Sequence, residues 1–293
     1  MFLAGTCFIK LNLTLRVLSR RKDGYHDIFS LFWRLRSPEV VEADFDSGRD
    51  SLEVSGADIP GENILTRVCR HIRSVYGGDS LPPVSIRLRK HIPTGSGVGA
   101  GSGNAAAFLQ IFRALRGKGP APGVSSLGAD VAFLASGHSL AFASGIGDIL
   151  EGLSGDLRLA AAVFFPEWSV GTSSAYDALD EMRARGDAGA LSAHEAREET
   201  VSVLGLLRRG ERAGMLPNDF IHCAGHDDKY AALRGAADIA GALAWGLCGS
   251  GGAFFALFAP EDASVRMSAM FEAIREKDGK EKFQWLQQIL VLE

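Results

Sequence analysis

The stretch that decides the fold is PTGSGVGAGSG, residues 93–103, which lies between a predicted strand and a predicted helix. Before it, VSIRLRKHI at 84–92 alternates apolar and polar residues as a half-buried strand does. After it, NAAAFLQIFRAL at 104–115 has a strongly helical pattern. The first N–H groups of a helix lack intrahelical acceptors, and glycines let the backbone approach a bound anion. The stretch therefore predicts an anion-binding loop at a helix N-terminus.

Two common nucleotide motifs fit this loop poorly. It is not a Walker A loop, because no Lys-Ser or Lys-Thr pair follows its last glycine. Gly95-x-Gly97-x-x-Ala100 matches a loose dinucleotide fingerprint, but it does not open a βαβ unit and no acidic residue stands about 20 residues further on. A glycine-rich turn without a ligand is the plain alternative.

Composition indicates an ordinary globular protein of one large or two modest domains. The chain has 293 residues, of which 46% are hydrophobic and 23% charged, and this mix excludes disorder as the main state. Glycine is the outlier, with 35 of 293 residues, about 12% against a usual 7% or so. The net charge of −4 argues against a nucleic-acid partner bound through a basic face.

The sequence also lacks signals for a membrane or a secretory route. Its longest apolar runs, 159–165 and 253–259, are far shorter than the roughly 18 residues of a membrane span. The N-terminus has no basic region followed by an apolar stretch. The four cysteines, without paired spacing, are Cys7, Cys69, Cys223 and Cys248. We expect a cytoplasmic protein with reduced thiols, no membrane partner, and a monomeric or homodimeric state.

The order of the predicted elements favours the α+β class. Strands are predicted at 6–18, 28–35, 39–45, 84–92, 157–165 and 285–292, and helices at 62–76, 104–115, 228–243 and 262–276, with a polar helical pattern over 173–215. These elements do not alternate strictly as βαβ units. We place a domain boundary after Gly152, giving domains 1–152 and 153–293 with one glycine cluster in each.

Several motifs together resemble a known family. PTGSGVGAGSGNAA resembles the central motif of the GHMP kinases, in which such a loop wraps the phosphates of ATP. KLNL at 10–13, followed by RRKDGYH at 20–26, resembles the N-terminus of the 4-diphosphocytidyl-2-C-methyl-D-erythritol kinase family. Four further segments resemble the same family and follow in the same order along the chain: GADVAF at 128–133, VGTSSAY at 170–176, NDF at 218–220 and CGSGG at 248–252. The pairing of Lys-Asn with Asp-Gly-Tyr-His is the specific part.

This resemblance implies a fold, a reaction and a cofactor. The fold is the GHMP kinase fold, with a ribosomal-S5-domain-2-like N-terminal domain and a ferredoxin-like C-terminal domain. The reaction is transfer of the γ-phosphate of ATP to the 2-hydroxyl of 4-diphosphocytidyl-2-C-methyl-D-erythritol, a step of the non-mevalonate isoprenoid precursor pathway. Mg²⁺ is expected with ATP, because phosphoryl transfer depends on neutralising the β and γ oxygens.

Lys10 and Asp130 are the predicted catalytic residues. By the resemblance, Asp130 is the base that orients the acceptor hydroxyl and takes its proton. Lys10 is a charge in an otherwise apolar strand, where it can lower the pKa of the acceptor hydroxyl or hold Asp130 ionised and aimed. The structural alternatives are a helix-capping aspartate and a strand-edge lysine with a buried stem.

The acceptor is predicted to bind through polar and aromatic side chains. These residues are Asn12, Tyr25, His26, Thr172 and Tyr176. Asn12 lies two residues after Lys10 and therefore faces the same side of its strand. The aromatic rings would stack on the cytosine, which is worth roughly 1–3 kcal/mol per base, and a histidine can bond the edge of the base. An ordinary helix-face aromatic is the alternative for Tyr176.

ATP is predicted to bind along the glycine loop. The loop residues assigned to it are Pro93, Thr94, Gly95, Ser96, Gly97, Val98, Gly99, Ala100, Gly101, Ser102 and Gly103. Asn63 matches a family position near the adenine, with a plain helix N-cap as the alternative. The second glycine cluster, 249–252, is expected to pack close to the loop. His222, Cys223 and His226 match no standard spacing of metal ligands, so no protein metal site is predicted.

Three departures from the family pattern indicate a divergent member. Ala132 stands where proline is usual, and Leu134 follows Phe133 where the family has a further aromatic residue. Gly103 replaces a serine, which removes a hydroxyl that the family has near the phosphates. The connector between Asn104 and Asp130 is short, so a helix is expected to be largely lost there.

Three rival functions are left open. Another GHMP kinase would act on homoserine, mevalonate or a sugar, but only an acceptor that carries a nucleobase explains Tyr25, His26 and Tyr176. A nucleotide-binding regulator without catalysis is disfavoured because both Lys10 and Asp130 are present. An NAD-binding protein is weakened by the missing acidic residue after the loop.

Overall fold

The chain forms two compact units, and each is assembled from separate segments. The computed structural model describes the whole chain except residues 58, 60, 118–122, 224, 277–284 and 293. The first unit comprises Met1–Lys10, Arg34–Thr94 and Gly99–His138. The second comprises Leu11–Trp33, Gly95–Val98 and Ser139–Glu293. The division after residue 152 that the sequence suggests stays a prediction.

Helices and strands occur together, which confirms the α+β class. In the described residues the strands are β1 (Phe2–Arg20), β2 (His26–Asp44), β3 (Ser51–Ser55), β4 (Ser85–Arg89), β5 (Leu140–Ser144), β6 (Ile149–Leu153), β7 (Ala160–Pro166), β8 (Gly214–Met215), β9 (Ala244–Leu247), β10 (Phe254–Phe258) and β11 (Leu286–Leu292). The helices are α1 (Ile64–Tyr76), α2 (Ala100–Arg116), α3 (Ala129–Ser136), α4 (Thr172–Arg185), α5 (Ala193–Arg208), α6 (Asp227–Ile239) and α7 (Ala263–Glu276). Short 3₁₀ helices span Gly78–Ser80, Val124–Leu127 and Asp219–His222.

The first unit packs α1, α2 and α3 against a sheet. Strand β4 pairs in parallel with β3 and antiparallel with the end of β2, where Val40 faces Arg89. Helix α1 turns one apolar stripe inward because Leu65, Val68 and Ile72 recur at helical spacing. Its buried partners in this core include Ile86, Leu88, Phe108 and Phe112. The result is a rigid support for the glycine loop that joins β4 to α2.

The second unit contains a sheet of five strands in the order β11-β7-β10-β9-β8. All seven residues of β7 are buried, so this strand is an unbroken apolar run rather than an alternating one. Helices α6 and α7 pack on the sheet through a cluster that includes Tyr230, Leu233, Met267 and Met270. In the same unit, β5 pairs antiparallel with the start of β2 and with β6.

Some elements differ from those that the local pattern predicts. Strands 28–35 and 39–45 are one strand, β2, which passes through Pro38 without a break. The helical pattern over 173–215 is two helices, α4 and α5. Strands β3, β5, β6, β8 and β9 are not predicted, because each has five residues or fewer and gives too short a periodic signal.

A polar network ties four elements of the second unit together. Arg16 of β1 donates two hydrogen bonds to Glu199 of α5, at 2.6 and 2.7 Å, and one to Asp219 at 2.6 Å. Arg183 of α4 donates to Asp219 at 3.2 Å and also to the backbone of β1. Asp219, the aspartate of the Asn-Asp-Phe motif, therefore joins β1 and α4 through hydrogen bonds, and Arg16 extends this network to α5.

None of the four cysteines forms a disulfide with the residues that the structure describes, and three of the four side chains are buried. Burial raises the pKa of the Cys7 thiol to about 11 and that of Cys69 to about 12. These two side chains therefore behave as small apolar core residues rather than as reactive thiolates. Within the described residues, no helix combines the length and the apolar character that crossing a membrane requires.

Candidate active site

The glycine loop leads directly into α2, as the sequence predicts, but the helix begins earlier than expected. It starts at Ala100, inside the glycine run, instead of at residue 104. Gly99 precedes it in the left-handed conformation, with φ of 69°, and among the described residues no side chain caps the helix. The N-terminus of α2 therefore presents backbone donors and the positive end of its dipole at the loop.

Gly103 faces β1 rather than the open side of the loop. Its N–H donates to the carbonyl of Gly99 at 2.8 Å, as part of the first turn of α2. A Cβ at position 103 would overlap the carbonyl oxygen of Phe8. A serine therefore does not fit here with this packing of α2 on β1. These contacts give no support to the predicted nucleotide contact at Gly103.

Lys10 and Asp130 lie together in the first unit, beside Gly99. The Nζ of Lys10 is 3.4 Å from Oδ1 of Asp130. The lysine side chain is 7% exposed and the aspartate side chain 31% exposed, so the carboxylate is the accessible member of the pair. A Cβ at Gly99 would lie 3.1 Å from Oδ2 of Asp130 and 3.5 Å from Cγ of Lys10. The structure thus brings both predicted catalytic side chains to the start of α2.

Residues 95–98 of the loop belong to the second unit, where they lie against the second glycine cluster. The N–H of Ala253 donates to the carbonyl of Ser96 at 2.9 Å. A Cβ at Gly97 would overlap the carbonyl oxygen of Cys248, and one at Gly252 would lie 2.7 Å from the carbonyl oxygen of Gly95. The close packing expected for cluster 249–252 is therefore made by backbone atoms.

Asn12 holds the second glycine cluster in place. Its Oδ1 accepts from the N–H of Gly249 at 3.1 Å, and its Nδ2 donates to Oγ of Ser30 at 3.0 Å. The side chain is buried, with 3% of the residue exposed. Its contact with the acceptor stays a prediction, whereas the contact with the cluster is direct.

Two further side chains support this cluster. Nδ2 of Asn218 donates to the carbonyls of Leu247 and Gly249, at 3.2 and 3.0 Å. The hydroxyl of Tyr230 donates to the carbonyl of Gly251, and burial raises the pKa of this tyrosine to about 12. Sequence reasoning gave neither residue a role, because a partner about 20 or 30 positions away leaves no local pattern.

The aromatic residues predicted to read cytosine fall into two groups. His26 and Tyr176 stack on each other, with ring centroids 4.8 Å apart and planes 19° apart. Tyr25 is 62% exposed and makes no ring contact with the described residues. Thr172 is exposed at the first position of α4, one turn before Tyr176. The stack and the exposed ring offer two aromatic surfaces within the same unit.

Asp180 is a site residue that the sequence did not indicate. Its Oδ1 lies 2.9 Å from Nε2 of His26, and its Oδ2 lies 3.3 Å from Arg20. Because a carboxylate only accepts, Nε2 of His26 is the donor in this contact, and the bond fixes the orientation of the imidazole ring. The helical spacing of Tyr176 and Asp180, four residues apart on α4, is the signal that could have found it.

Asn63 is the N-cap of α1, which is the structural alternative to an adenine contact. Its Oδ1 accepts from the N–H of Leu65 at 2.9 Å. Its Nδ2 is buried, with no hydrogen-bond partner among the described residues. The cap uses only one end of the amide, and the other end has no exposed surface, so the adenine contact stays a prediction.

A nucleotide-bound Mg²⁺ fits the residues around the loop. Such an ion takes most of its ligands from phosphate and water oxygens, with one or two carboxylates from the protein. Asp130 supplies a partly exposed carboxylate beside the start of α2. Within the described parts of the chain, no three histidine, cysteine or acidic side chains cluster as a metal site of their own.

Comparison with known proteins defines the class first. Residues 63–150 match the family described as "GHMP kinases N terminal domain", so the loop and its helix are those of a GHMP kinase. The chain is 32% identical to the 4-diphosphocytidyl-2-C-methyl-D-erythritol kinase of Moorella thermoacetica, over 90% of this chain and 92% of that one. It is 30% identical to the protein of the same name from Pelodictyon phaeoclathratiforme, over 92% and 93%.

A solved structure agrees with these relatives. The crystal structure of 4-(cytidine 5'-diphospho)-2C-methyl-D-erythritol kinase matches 99% of this chain and 98% of its own, with a TM-score of 0.74 and 28% identity. The chain belongs to the 4-diphosphocytidyl-2-C-methyl-D-erythritol kinase family. The GHMP kinase fold implied by the sequence motifs is thereby confirmed.

Alanine at Gly99 and at Gly101 should change stability in opposite directions. Gly99→Ala forces a left-handed conformation on a residue with a Cβ, so the free energy of unfolding should fall by about 1–2 kcal/mol. Gly101 is helical with open space around it, so Gly101→Ala should raise this free energy by up to about 1 kcal/mol. Urea unfolding of the two variants tests this, and a loss of stability at both positions would contradict the loop geometry.

Proposed function

We propose that this chain transfers the γ-phosphoryl group of ATP to the 2-hydroxyl of 4-diphosphocytidyl-2-C-methyl-D-erythritol, as its family resemblance implies. The single observation that carries the chemistry is the Lys10–Asp130 pair at the N-terminus of α2, with Nζ and Oδ1 at 3.4 Å. A buried ammonium beside a partly exposed carboxylate, next to an uncapped helix start, suits attack by an alcohol on a bound phosphate.

Asp130 acts as the base in this proposal. Its carboxylate accepts the proton of the acceptor hydroxyl while the oxygen of that hydroxyl forms a bond to the γ-phosphorus. The bond between the γ-phosphorus and the bridging oxygen breaks, and ADP leaves with the electron pair. Lys10 orients the carboxylate and stabilises the negative charge that develops on the acceptor oxygen and the transferred group.

The phosphates of ATP bind at the glycine loop. The first amides of α2 and its dipole supply donors and positive charge where Gly99 opens the helix. Mg²⁺ bound with ATP would supply positive charge to the phosphate oxygens, and the partly exposed carboxylate of Asp130 would be the protein group that holds it. Asn63 is assigned to the adenine by the family resemblance.

The cytosine of the acceptor is read by the aromatic residues of the second unit. Tyr25, which is exposed, and Tyr176 supply faces for stacking. Asp180 orients the imidazole of His26 through Nε2, and His26 forms a hydrogen bond with the edge of the cytosine. Thr172 contributes a hydroxyl at the start of α4. Cytoplasmic location, a monomeric or dimeric state and the absence of a nucleic-acid partner stay predictions.

Replacing the base should abolish turnover without removing ATP binding. Asp130→Asn keeps the shape of the side chain but cannot take a proton, so kcat should fall about 10²- to 10⁴-fold. The measurement is ADP release with Mg-ATP and 4-diphosphocytidyl-2-C-methyl-D-erythritol, homoserine or mevalonate as acceptor. Asp79→Asn, which changes an exposed aspartate of the same unit, should keep the rate of the unmodified protein.

The acceptor panel separates the rival functions. Turnover with homoserine or mevalonate alone would support kinase activity and contradict the proposal that the aromatic residues bind cytosine. ATP binding without turnover on any acceptor would favour a regulator. A fully active Asp130→Asn protein would exclude Asp130 as the base.

Loss of an aromatic ring should weaken binding of the acceptor and leave binding of ATP unaffected. Tyr176→Leu removes the stacking face but keeps an apolar side chain, so the KM for the acceptor should rise about 5- to 150-fold, which corresponds to roughly 1–3 kcal/mol. The KM for ATP serves as the internal control and should stay within about twofold. An unchanged acceptor KM in steady-state kinetics would show that Tyr176 does not contact the base.

A further inference from the structure

Glu39 is a buried carboxylate that no step of the proposed reaction uses. It lies in β2 with its side chain fully inaccessible. Its Oε1 accepts from Nζ of Lys90 at 2.8 Å and from the N–H groups of His91 and Ile92 at 3.2 and 3.0 Å. Its Oε2 accepts from Nδ2 of Asn104 at 2.6 Å. Four donors therefore converge on one carboxylate.

These donors flank the glycine loop. Residues 90–92 are the last three before the loop begins at Pro93, and Asn104 is the first residue after it ends at Gly103. The β2–β4 pairing ends at Val40 and Arg89, and the N–H of Lys90 makes the last backbone bond to β3, at 2.8 Å from the carbonyl of Ser55, so residues 91 and 92 lie beyond the strand ladder. The carboxylate of Glu39 therefore ties the chain on both sides of residues 93–103 to a single point of β2.

The ion pair alone does not explain this arrangement. Burying two charges carries a desolvation penalty that can match or exceed their attraction, so a buried pair is a weak source of stability. The contact with Lys90 needs only one carboxylate oxygen, yet the carboxylate of Glu39 also accepts from two backbone amides and a side-chain amide. The number and placement of the donors indicate that Glu39 sets the path of the chain.

We propose that Glu39 is a positioning residue for ATP, holding both ends of the glycine loop at the separation that phosphate binding requires. The inference rests on the proposed function, because it takes the loop to be the ATP site. The shape of a phosphate site must be held to a fraction of an ångström by groups that do not themselves touch the ligand. Glu39 supplies that support from the core of the first unit, through Lys90 and Asn104.

Glu39→Gln tests this proposal. Glutamine keeps the length of the side chain but replaces one acceptor oxygen with a donor, so it cannot accept from the residues on both sides of the loop. The KM for ATP should rise about tenfold or more, while the KM for the acceptor stays within about twofold. Hydrogen exchange should accelerate at the amides of residues 90–94, except Pro93, which has no N–H, and at those of residues 99–103, in the absence of any ligand.

Two other variants keep the result interpretable. Glu199→Gln breaks the paired contact with Arg16 in the second unit, so it should lower the melting temperature while leaving the KM for ATP and the exchange of the loop unchanged. Asn104→Ala leaves the Glu39–Lys90 pair intact and removes the bond from α2 to Glu39, together with the 3.5 Å contact between Nδ2 and Sγ of Cys7. It should fold even where Glu39→Gln does not, and raise the KM for ATP about five- to tenfold.

The exchange measurement separates this proposal from the proposed function. If the unmodified protein does not turn over ATP, the proposed function fails, and loop exchange still decides whether Glu39 holds the loop. Unchanged exchange at 90–94 and 99–103 in Glu39→Gln and Asn104→Ala would overturn the proposal. An equal rise in the KM for ATP and the KM for the acceptor, with unchanged amide exchange of the loop, would show that Glu39 only stabilises the fold in general.

Discussion

Direct packing of backbone on backbone is the constraint on which the rest of this structure depends. Gly103 lies against the carbonyl of Phe8, and any Cβ there would overlap it, so α2 can approach β1 closely. In the second unit, Gly97 lies in the same way against the carbonyl of Cys248. These contacts, together with the side-chain hydrogen bonds of Asn12, Asn218 and Tyr230, determine where the loop and the second glycine cluster run. They explain why glycine is concentrated in two short stretches, residues 93–103 and 248–252.

The proposed phosphoryl transfer depends on the groups that this backbone packing places at the start of α2. Gly99 takes a left-handed turn, the helix begins without a side-chain cap in the described residues, and Lys10 and Asp130 meet beside it. A helix dipole, an ammonium and a carboxylate then share one small region of the first unit. In the second unit, Asp180 orients His26 next to Tyr176, which gives a surface suited to a nucleobase.

Much of this could be predicted from short sequence patterns, and the remainder depends on contacts between distant residues. The strand-loop-helix order around 93–103 and the role of Lys10 beside Asp130 rest on local patterns and on resemblance to a family. Glu39 could not be found in this way, because its partners Lys90 and Asn104 are 51 and 65 positions away. Asn12 was assigned to the acceptor, whereas the structure shows its bond to Gly249, which lies 237 positions further on.

The claim that matters most is which oxygen of the acceptor receives the phosphate, and phosphorus NMR of the product measures it directly. Carbon 2 of a 2-C-methyl tetritol carries the methyl group and no hydrogen. A phosphate on the 2-hydroxyl therefore gives a monoester resonance without three-bond coupling to a proton. The account predicts that uncoupled resonance, formed in step with ADP. A monoester resonance split by neighbouring carbinol protons would place the phosphate on another hydroxyl and contradict it.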